Sequence, residues 1–358
     1  MSSSVTPALL DNVPIFDPPV ALRGFGGRYV GGRIAHVEAE ARAFATPDGE
    51  TRSWPQSGHF AAGQLYAQIF LPANARSDCK IQFWHGGGLT GAQWEQTPDD
   101  RPGWLQYALE DGFDVIVCDA AERGRAGIPH SKIVNEAPVF RSNEQAWHGF
   151  RIGPEGGYNP DPSIARTYDR QKFPTDAFHT FCRQFTARWP GFTNTIQSAY
   201  DALLSEAGQG NIIIAHSEGA RYALEAARRA PDAVSALILV EPAGAPSLPD
   251  QQDVRGLTQV PILSVWGDFL NDSARWQDFI EQFENYTHMV GLSRHDRIDL
   301  NTQCSPGHSH FPMLDHGNDA VWRLISDWIS CLETRAVGAA SKNQTFTVAD
   351  RREEPSDT

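Results

Sequence analysis

Five short apolar runs limit what this chain can fold into more than any other feature. Ile81-Gln82-Phe83-Trp84, Asp114 to Asp119, Asn211 to Ala215, Ser235 to Val240 and Pro261 to Trp266 are each four to six residues long. Runs this short and this continuously apolar read as strands buried on both faces. Helical patterns lie between and after them. Trp104 to Glu110 ends near Gly112, Ala220 to Arg229 is closed by Pro231, and Asp319 to Cys331 is amphipathic. Two earlier segments, Gly24 to Ile34 and Gly63 to Leu71, read as strands, the second with Leu65, Ala67, Ile69 and Leu71 on one face. Strands alternating with helices predict an α/β fold: a mostly parallel sheet with helices on both faces.

Residues 1–22 are rich in Ser and Pro without period, and residues 336–358 are polar and end in charge; both are expected to be loosely ordered around a domain spanning 23–335. One gap is out of scale. About 90 residues separate the strand ending at Asp119 from the one starting at Asn211, and they carry many aromatics, among them Trp147, Phe150, Phe173, Phe178, Phe181 and Trp189. A structureless loop of that length does not suit a compact domain. The segment 120–210 is therefore expected to contain a helical, cap-like insertion between two central strands, lining a substrate pocket.

Composition excludes some partners. With 30 basic and 44 acidic residues the formal net charge is −14, the wrong sign for a general nucleic-acid or anionic-membrane surface. No apolar run reaches the 18 or so residues of a membrane helix, and the first residues lack the pattern of a signal peptide. The five cysteines are widely spaced with no C-x-x-C, so they read as buried thiols rather than a disulfide framework or zinc ribbon. A cytoplasmic location is expected.

The chemistry is concentrated in Ile212-Ile213-Ile214-Ala215-His216-Ser217-Glu218-Gly219-Ala220. An apolar strand enters a tight turn with Ser at its apex, and an Ala-rich helix leaves. This is the strand–turn–helix context of a G-x-S-x-G nucleophile elbow, with Ala215 for the first Gly. Small residues are needed two before and two after the nucleophile, where Ala215 and Gly219 stand. Directly after another strand comes His85-Gly86-Gly87-Gly88. Glycines let backbone N–H groups face an oxyanion, and the hole is expected to pair Gly87 N–H with Glu218 N–H. The run lacks the Lys-Ser/Thr of a phosphate loop.

A serine nucleophile needs a histidine base and an orienting acid, in the order Ser, acid, His. Ser305-Pro306-Gly307-His308-Ser309-His310 lies on a loop shortly before the last helix. His310 is the expected base and His308 the alternative, with His316 in an ordinary helix-start role. A metal pair at His308 and His310 lacks supporting ligands. For the acid, Asp268 follows the later strand and Glu241 the earlier one. Spacing alone does not separate them, and the commoner position favours Asp268.

The run from His85 to Gly91, with Trp94-Glu95-Gln96-Thr97-Pro98-Asp99 and Gly103-Trp104, resembles a bacterial carboxylesterase family of the α/β-hydrolase superfamily, known for adjacent cysteines in its oxyanion loop. The likeness continues at Gly124-Arg125, His216-Ser217, Val240-Glu241-Pro242, Gly267-Asp268 and Gly307 to His310, and extends with gaps over about residues 24 to 332. The resemblance implies an α/β-hydrolase fold, a triad of Ser217, Glu241 and His310, an oxyanion hole at Gly87 and Glu218, and a homodimer. It moves the expected acid from Asp268 to Glu241. The chain departs from the family where Gly87 and Gly88 replace the cysteines.

These features predict a cofactor-free serine hydrolase acting on a small to medium ester through an acyl-enzyme. The aromatic insert points to an apolar or aromatic substrate, and the Glu218 charge to discrimination against bulky anionic acyl groups. A lactonase or C–C bond hydrolase could use the same triad. A non-catalytic small-molecule receptor on the fold is the rival from another class.

Overall fold

A computed structural model describes residues 9–247, 256–292 and 294–344. The strands are β1 (Leu22–Val37), β2 (Arg42–Ala45), β3 (Thr51–Trp54), β4 (Gly58–Pro72), β5 (Lys80–Trp84), β6 (Asp114–Asp119), β7 (Asn211–His216), β8 (Val234–Val240), β9 (Ile262–Trp266) and β10 (His295–Asp299). Eight of them form one sheet in the order β1-β4-β6-β5-β7-β8-β9-β10, and β2 pairs with β3 apart from it. The long β1 and β4 pair antiparallel, as do β4 and β6, whereas every pair from β6 to β10 is parallel.

The helices are α1 (Trp104–Glu110), α2 (Ser131–Val134), α3 (Asn143–Gly149), α4 (Phe178–Cys182), α5 (Thr193–Ala207), α6 (Glu218–Arg229), α7 (Ala274–Val290), α8 (Leu300–Gln303) and α9 (Asn318–Gln344). Residues of β7 show how they cover the sheet. Ile212 and Ile214 join a core layer with Trp104 of α1 and Ile325 of α9, while Ile213 and Ala215 join one with Leu203 of α5, Leu224 of α6 and Phe283 of α7. Successive side chains point to opposite faces, and both faces are apolar, so all six residues of β7 are buried. Each buried isoleucine contributes roughly 1.5–3 kcal/mol, enough to hold the strand that carries the elbow.

The segment between β6 and β7 divides in two. Its last part is α5, which packs on the sheet beside β1 and β4. The earlier part holds three short helices joined by irregular chain. Ser142 starts α3 with a capping box, its hydroxyl accepting from Gln145 N–H while the Gln145 side chain accepts from Ser142 N–H. Its aromatics turn inward: Trp147, Phe150, Phe173, Phe178 and Phe181 are buried in the core layer shared with Phe311. The insertion is thus anchored by ring packing.

Three details differ from the sequence reading. The closing helix runs to Gln344, past residue 336 where a loose tail was expected; residues 345–358 lie outside the described residues. An unexpected edge strand, β10, is polar in sequence. Of the arm, residues 1–8 also lie outside the described residues, and Leu9–Asn12 forms a short 3-10 turn.

Candidate active site

Ser217 sits between β7 and α6 with φ 55° and ψ −120°, a conformation costly for a residue with a Cβ and kept only where the surroundings enforce it. Those surroundings are visible. Ser217 N–H donates to Val240 O at 3.0 Å, and Ser217 O accepts from Ala220 N–H at 3.1 Å and Ala243 N–H at 3.2 Å. Behind the turn, a Cβ on Gly219 would lie 2.7 Å from His85 O, so the helix can approach the glycine loop only with glycine there.

The loop after β5 is held from below. His85 Nδ1 is 2.8 Å from Gly86 O, and its Nε2 is 3.0 Å from Ala120 N. A carbonyl only accepts and an amide only donates, so the ring is neutral with its proton on Nδ1. Burial pushes its pKa below the ordinary histidine value. Further along, Gly91 N–H donates to Asp119 Oδ1 at 2.7 Å, and Arg125 Nε donates to Asp119 Oδ2 at 2.8 Å. A Cβ on Gly87 would lie 2.5 Å from Glu218 Oε2, and one on Gly88 3.2 Å from Arg188 Cδ. The ion-paired Glu218 and Arg188 side chains thus occupy the space a longer residue at 87 or 88 would need. Among the described residues, Gly87 N–H and Glu218 N–H donate to no backbone acceptor. Glu218 is the first residue of α6, where an N–H has no intrahelical partner.

Glu241 follows β8 and is fully buried. Its Oε2 is 3.2 Å from His310 Nδ1 and accepts from Arg151 Nη2 at 2.7 Å; its Oε1 accepts from Gly267 N–H. Arg151 is itself buried, donates through Nε to Asp268 O at 2.7 Å, and lies over the Trp276 ring at 4.4 Å. The carboxylate is therefore paired with a buried guanidinium in a dry site. Asp268 has a different place. Its Oδ1 accepts from Phe269 N–H at 2.8 Å and its Oδ2 from Gly307 N–H at 3.0 Å, so it braces the histidine loop.

His310 lies among Phe150, Trp276, His216 and Phe311. Burial, then the charges of Arg151, Arg141 and Arg275, hold its pKa well below the ordinary histidine value. The ring is neutral near neutral pH and able to take a proton. His216 Nε2 is 2.9 Å from His310 O, so it donates there and ties the end of β7 to the histidine loop. His308 turns elsewhere, its Nδ1 3.2 Å from Asp315 Oδ2. His316 is exposed beside Asp99. The two loop histidines face different carboxylates, and among the described residues no group of three or more His, Cys, Asp or Glu could hold a metal ion.

Ser217, Glu218, Gly87 and His310 line one cavity of about 230 Å³, together with Phe150 and Trp276. It opens at the carboxyl ends of β5, β7 and β8, where ligands bind in open parallel sheets. A larger cavity of about 450 Å³ includes Ile212, Val234 and Ala236, at the opposite strand ends, and contains neither Ser217 nor His310. Of the sequence-derived candidates, Glu241 stands behind His310, whereas Asp268 and His308 do not line the cavity. Arg151 and His216 were not anticipated in these roles, because no local pattern links residue 151 to 241 or residue 216 to 310. Of the insertion's aromatics only Phe150 reaches the cavity; Trp147, Phe173, Phe178 and Phe181 fill the core, so they no longer point to an aromatic substrate. Nor does the Glu218 charge stand alone, since Arg188 pairs with it.

No family model matches the chain. A solved structure described as a novel bacterial esterase superposes with a TM-score of 0.73 at 27% identity, covering 89% of this chain and 98% of that one. A fungal protein (strain ATCC 74256) described as a probable secreted lipase, phiG, is 28% identical over 200 residues, 53% of this chain. The chain spans about half the length of that curated relative, 52%.

Proposed function

We propose that this chain, a member of the α/β-hydrolase superfamily, is a serine carboxylesterase that works through an acyl-enzyme on Ser217. The fold is α/β-hydrolase, a mostly parallel sheet with helices on both faces. The observation that carries the reading is the alignment of three groups: Ser217 on a left-handed elbow, a neutral His310 in the same cavity, and buried Glu241 3.2 Å behind it. The likeness to the bacterial esterase, over nearly the whole of both chains, supports ester hydrolysis.

In this reading His310 takes the Ser217 proton as Oγ attacks the ester carbonyl. Glu241 accepts the Nδ1 proton in a hydrogen bond and stabilises the imidazolium that forms. Gly87 N–H and Glu218 N–H receive the oxyanion, a donor of this kind contributing about 2.7–4 kcal/mol in the transition state. His310 then returns its proton to the departing alkoxide, the ester C–O bond breaks, and water attacks the acyl-enzyme with His310 again as base. Arg151 is a positioning residue that holds the Glu241 carboxylate in place. A cavity of about 230 Å³ lies below the roughly 300–1,000 Å³ of common ligand pockets, which favours a small substrate.

Five free cysteines suit a reducing compartment, although the fungal relative's name says secreted. Among the described residues no helix is long and apolar enough to cross a membrane. The test is p-nitrophenyl acetate hydrolysis by wild type and Ser217→Ala, with fluorophosphonate labelling alongside. Turnover and labelling lost together in Ser217→Ala are expected. A wild type that neither turns over nor labels would point to the receptor alternative.

A further inference from the structure

Four arginines, Arg141, Arg188, Arg221 and Arg275, line the cavity beside Ser217 and His310, in a chain of formal net charge −14. Arg188 is neutralised by Glu218. Among the described residues Arg141, Arg221 and Arg275 have no carboxylate within 4.0 Å. Arg141 lies over the Phe150 ring at 4.4 Å and Arg275 over Phe279 at 5.2 Å. Their flat faces are packed, which leaves the N–H edges for another acceptor. Arg141, Arg188 and Arg275 also line an adjoining cavity of about 340 Å³, so they stand at the boundary between the reaction chamber and an outer one.

Like charges gathered in a half-buried site repel one another. Burial and the neighbouring Arg188 and Arg275 charges push the Arg141 guanidinium down to about 10. An arrangement of that kind is favourable only when an anion offsets it, and a guanidinium edge fits a carboxylate with two parallel hydrogen bonds. The Glu218 carboxylate does not fill the role, because it is already committed to Arg188.

Building on the serine-esterase reading, we propose that the ester cleaved here is a short monoester of a dicarboxylic acid, its free carboxylate held between Arg141 and Arg275. The small chamber limits the chain between the two carbonyl carbons. Water and the monoester give the dicarboxylate, the alcohol and a proton. Arg221, one helical turn beyond Ser217 on α6, adds to the positive field without closing on the carboxylate. A neutral ester of the same length would leave both guanidiniums without their acceptor, so selectivity arises from groups left unpaired.

The experiment compares monoethyl glutarate with ethyl valerate, which matches it in length and lacks the charge, by acid release in a pH-stat. Wild type is measured beside Arg275→Gln, at an exposed position, and Arg141→Gln. The expected kcat/KM ratio favours the glutarate ester by about ten- to a hundredfold, the range for charged hydrogen bonds. It should fall at least about threefold in each variant. A wild-type ratio near or below one, with ethyl valerate turned over, overturns the proposal and leaves the esterase reading standing. A high ratio unchanged in both variants also overturns it, because the arginines would not be reading the charge. If neither ester nor p-nitrophenyl acetate is cleaved and Ser217 refuses a fluorophosphonate, the esterase reading fails and this proposal with it.

Discussion

Glu241→Gln separates Glu241, the proposed acid, from its neighbour Asp268. Wild-type Glu241 accepts from three donors, His310 Nδ1–H, Arg151 Nη2 and Gly267 N–H. A glutamine has the same shape but only one oxygen. With that oxygen toward Gly267, its NH₂ faces Arg151 and His310, both donors; flipped, it faces the Gly267 N–H. Either way a donor meets a donor. Arg151, with no exposed side-chain surface, loses its counter-charge, and breaking such a buried pair costs about 3–5 kcal/mol of stability. Catalysis loses more, because the imidazolium is no longer stabilised and its tautomer is no longer set. The equivalent acid-to-amide change in the serine-protease triad lowers kcat by about 10⁴, and a fall of about 10³–10⁴ is expected here. Asp268→Asn removes at most one acceptor from Phe269 or Gly307 N–H, which costs roughly 1–3 kcal/mol and less than about tenfold in rate. The assay is steady-state hydrolysis of p-nitrophenyl acetate well below each variant's Tm, with circular dichroism to establish that each is folded. A folded Glu241→Gln that keeps more than about a tenth of wild-type kcat, or an Asp268→Asn equally crippled, would refute the assignment.

Arg151→Met should also destabilise by about 3–5 kcal/mol, since it leaves Glu241 buried and unpaired; a urea midpoint equal to wild type would count against the clamp. His85, His216 and His310 are buried with pKa values below the ordinary one. Each binds its proton more readily unfolded, so stability is full above about pH 6.5 and falls by up to about 1.4 kcal/mol per pH unit per histidine as the pH drops toward the lowered values. Buried Glu122, whose pKa is raised by burial, offsets part of this below its own range, and urea unfolding at pH 7 and pH 5.5 reads the balance. Activity should persist below pH 6.5, because His310 stays neutral there; in Arg275→Gln a positive neighbour is gone, so the acid limb of kcat/KM should move upward. Gly87→Ala would press on Glu218 Oε2 from 2.5 Å; a loss of kcat with little change in KM is expected.

Much of the body was legible because each signal was local. The elbow needs small residues at fixed offsets and an apolar strand before it, and both are contiguous in 211–220. The parallel strands were visible because burial on both faces demands unbroken apolar runs. The polar β10, His295–Asp299, escaped because an edge strand has one neighbour and needs no apolar run; only its Ile298 is buried. Helix α9 continues to Gln344, past the amphipathic stretch Asp319 to Cys331 from which it was read. The aromatics of the insertion were visible as aromatics, but rings that fill a core and rings that line a pocket look alike until their neighbours are known.

The charge of the chamber shows the other limit. Net charge is a sum over the whole chain, and −14 describes solvation of the whole surface. The chamber's arginines come from positions 141, 188, 221 and 275, separated by 33 to 54 residues, and only the fold brings them together. Arg151 belongs to the same pattern, since it reaches Glu241 across 90 residues. Ser217 and Glu241 stand at the ends of β7 and β8 and His310 on the loop between α8 and α9, while the insertion supplies Arg141, Arg151 and Arg188. The two guanidiniums proposed to read the substrate charge come one from the insertion, Arg141, and one from α7, Arg275, so these two positions are where a chain with this sheet and this elbow could acquire a different substrate while keeping Ser217, Glu241 and His310.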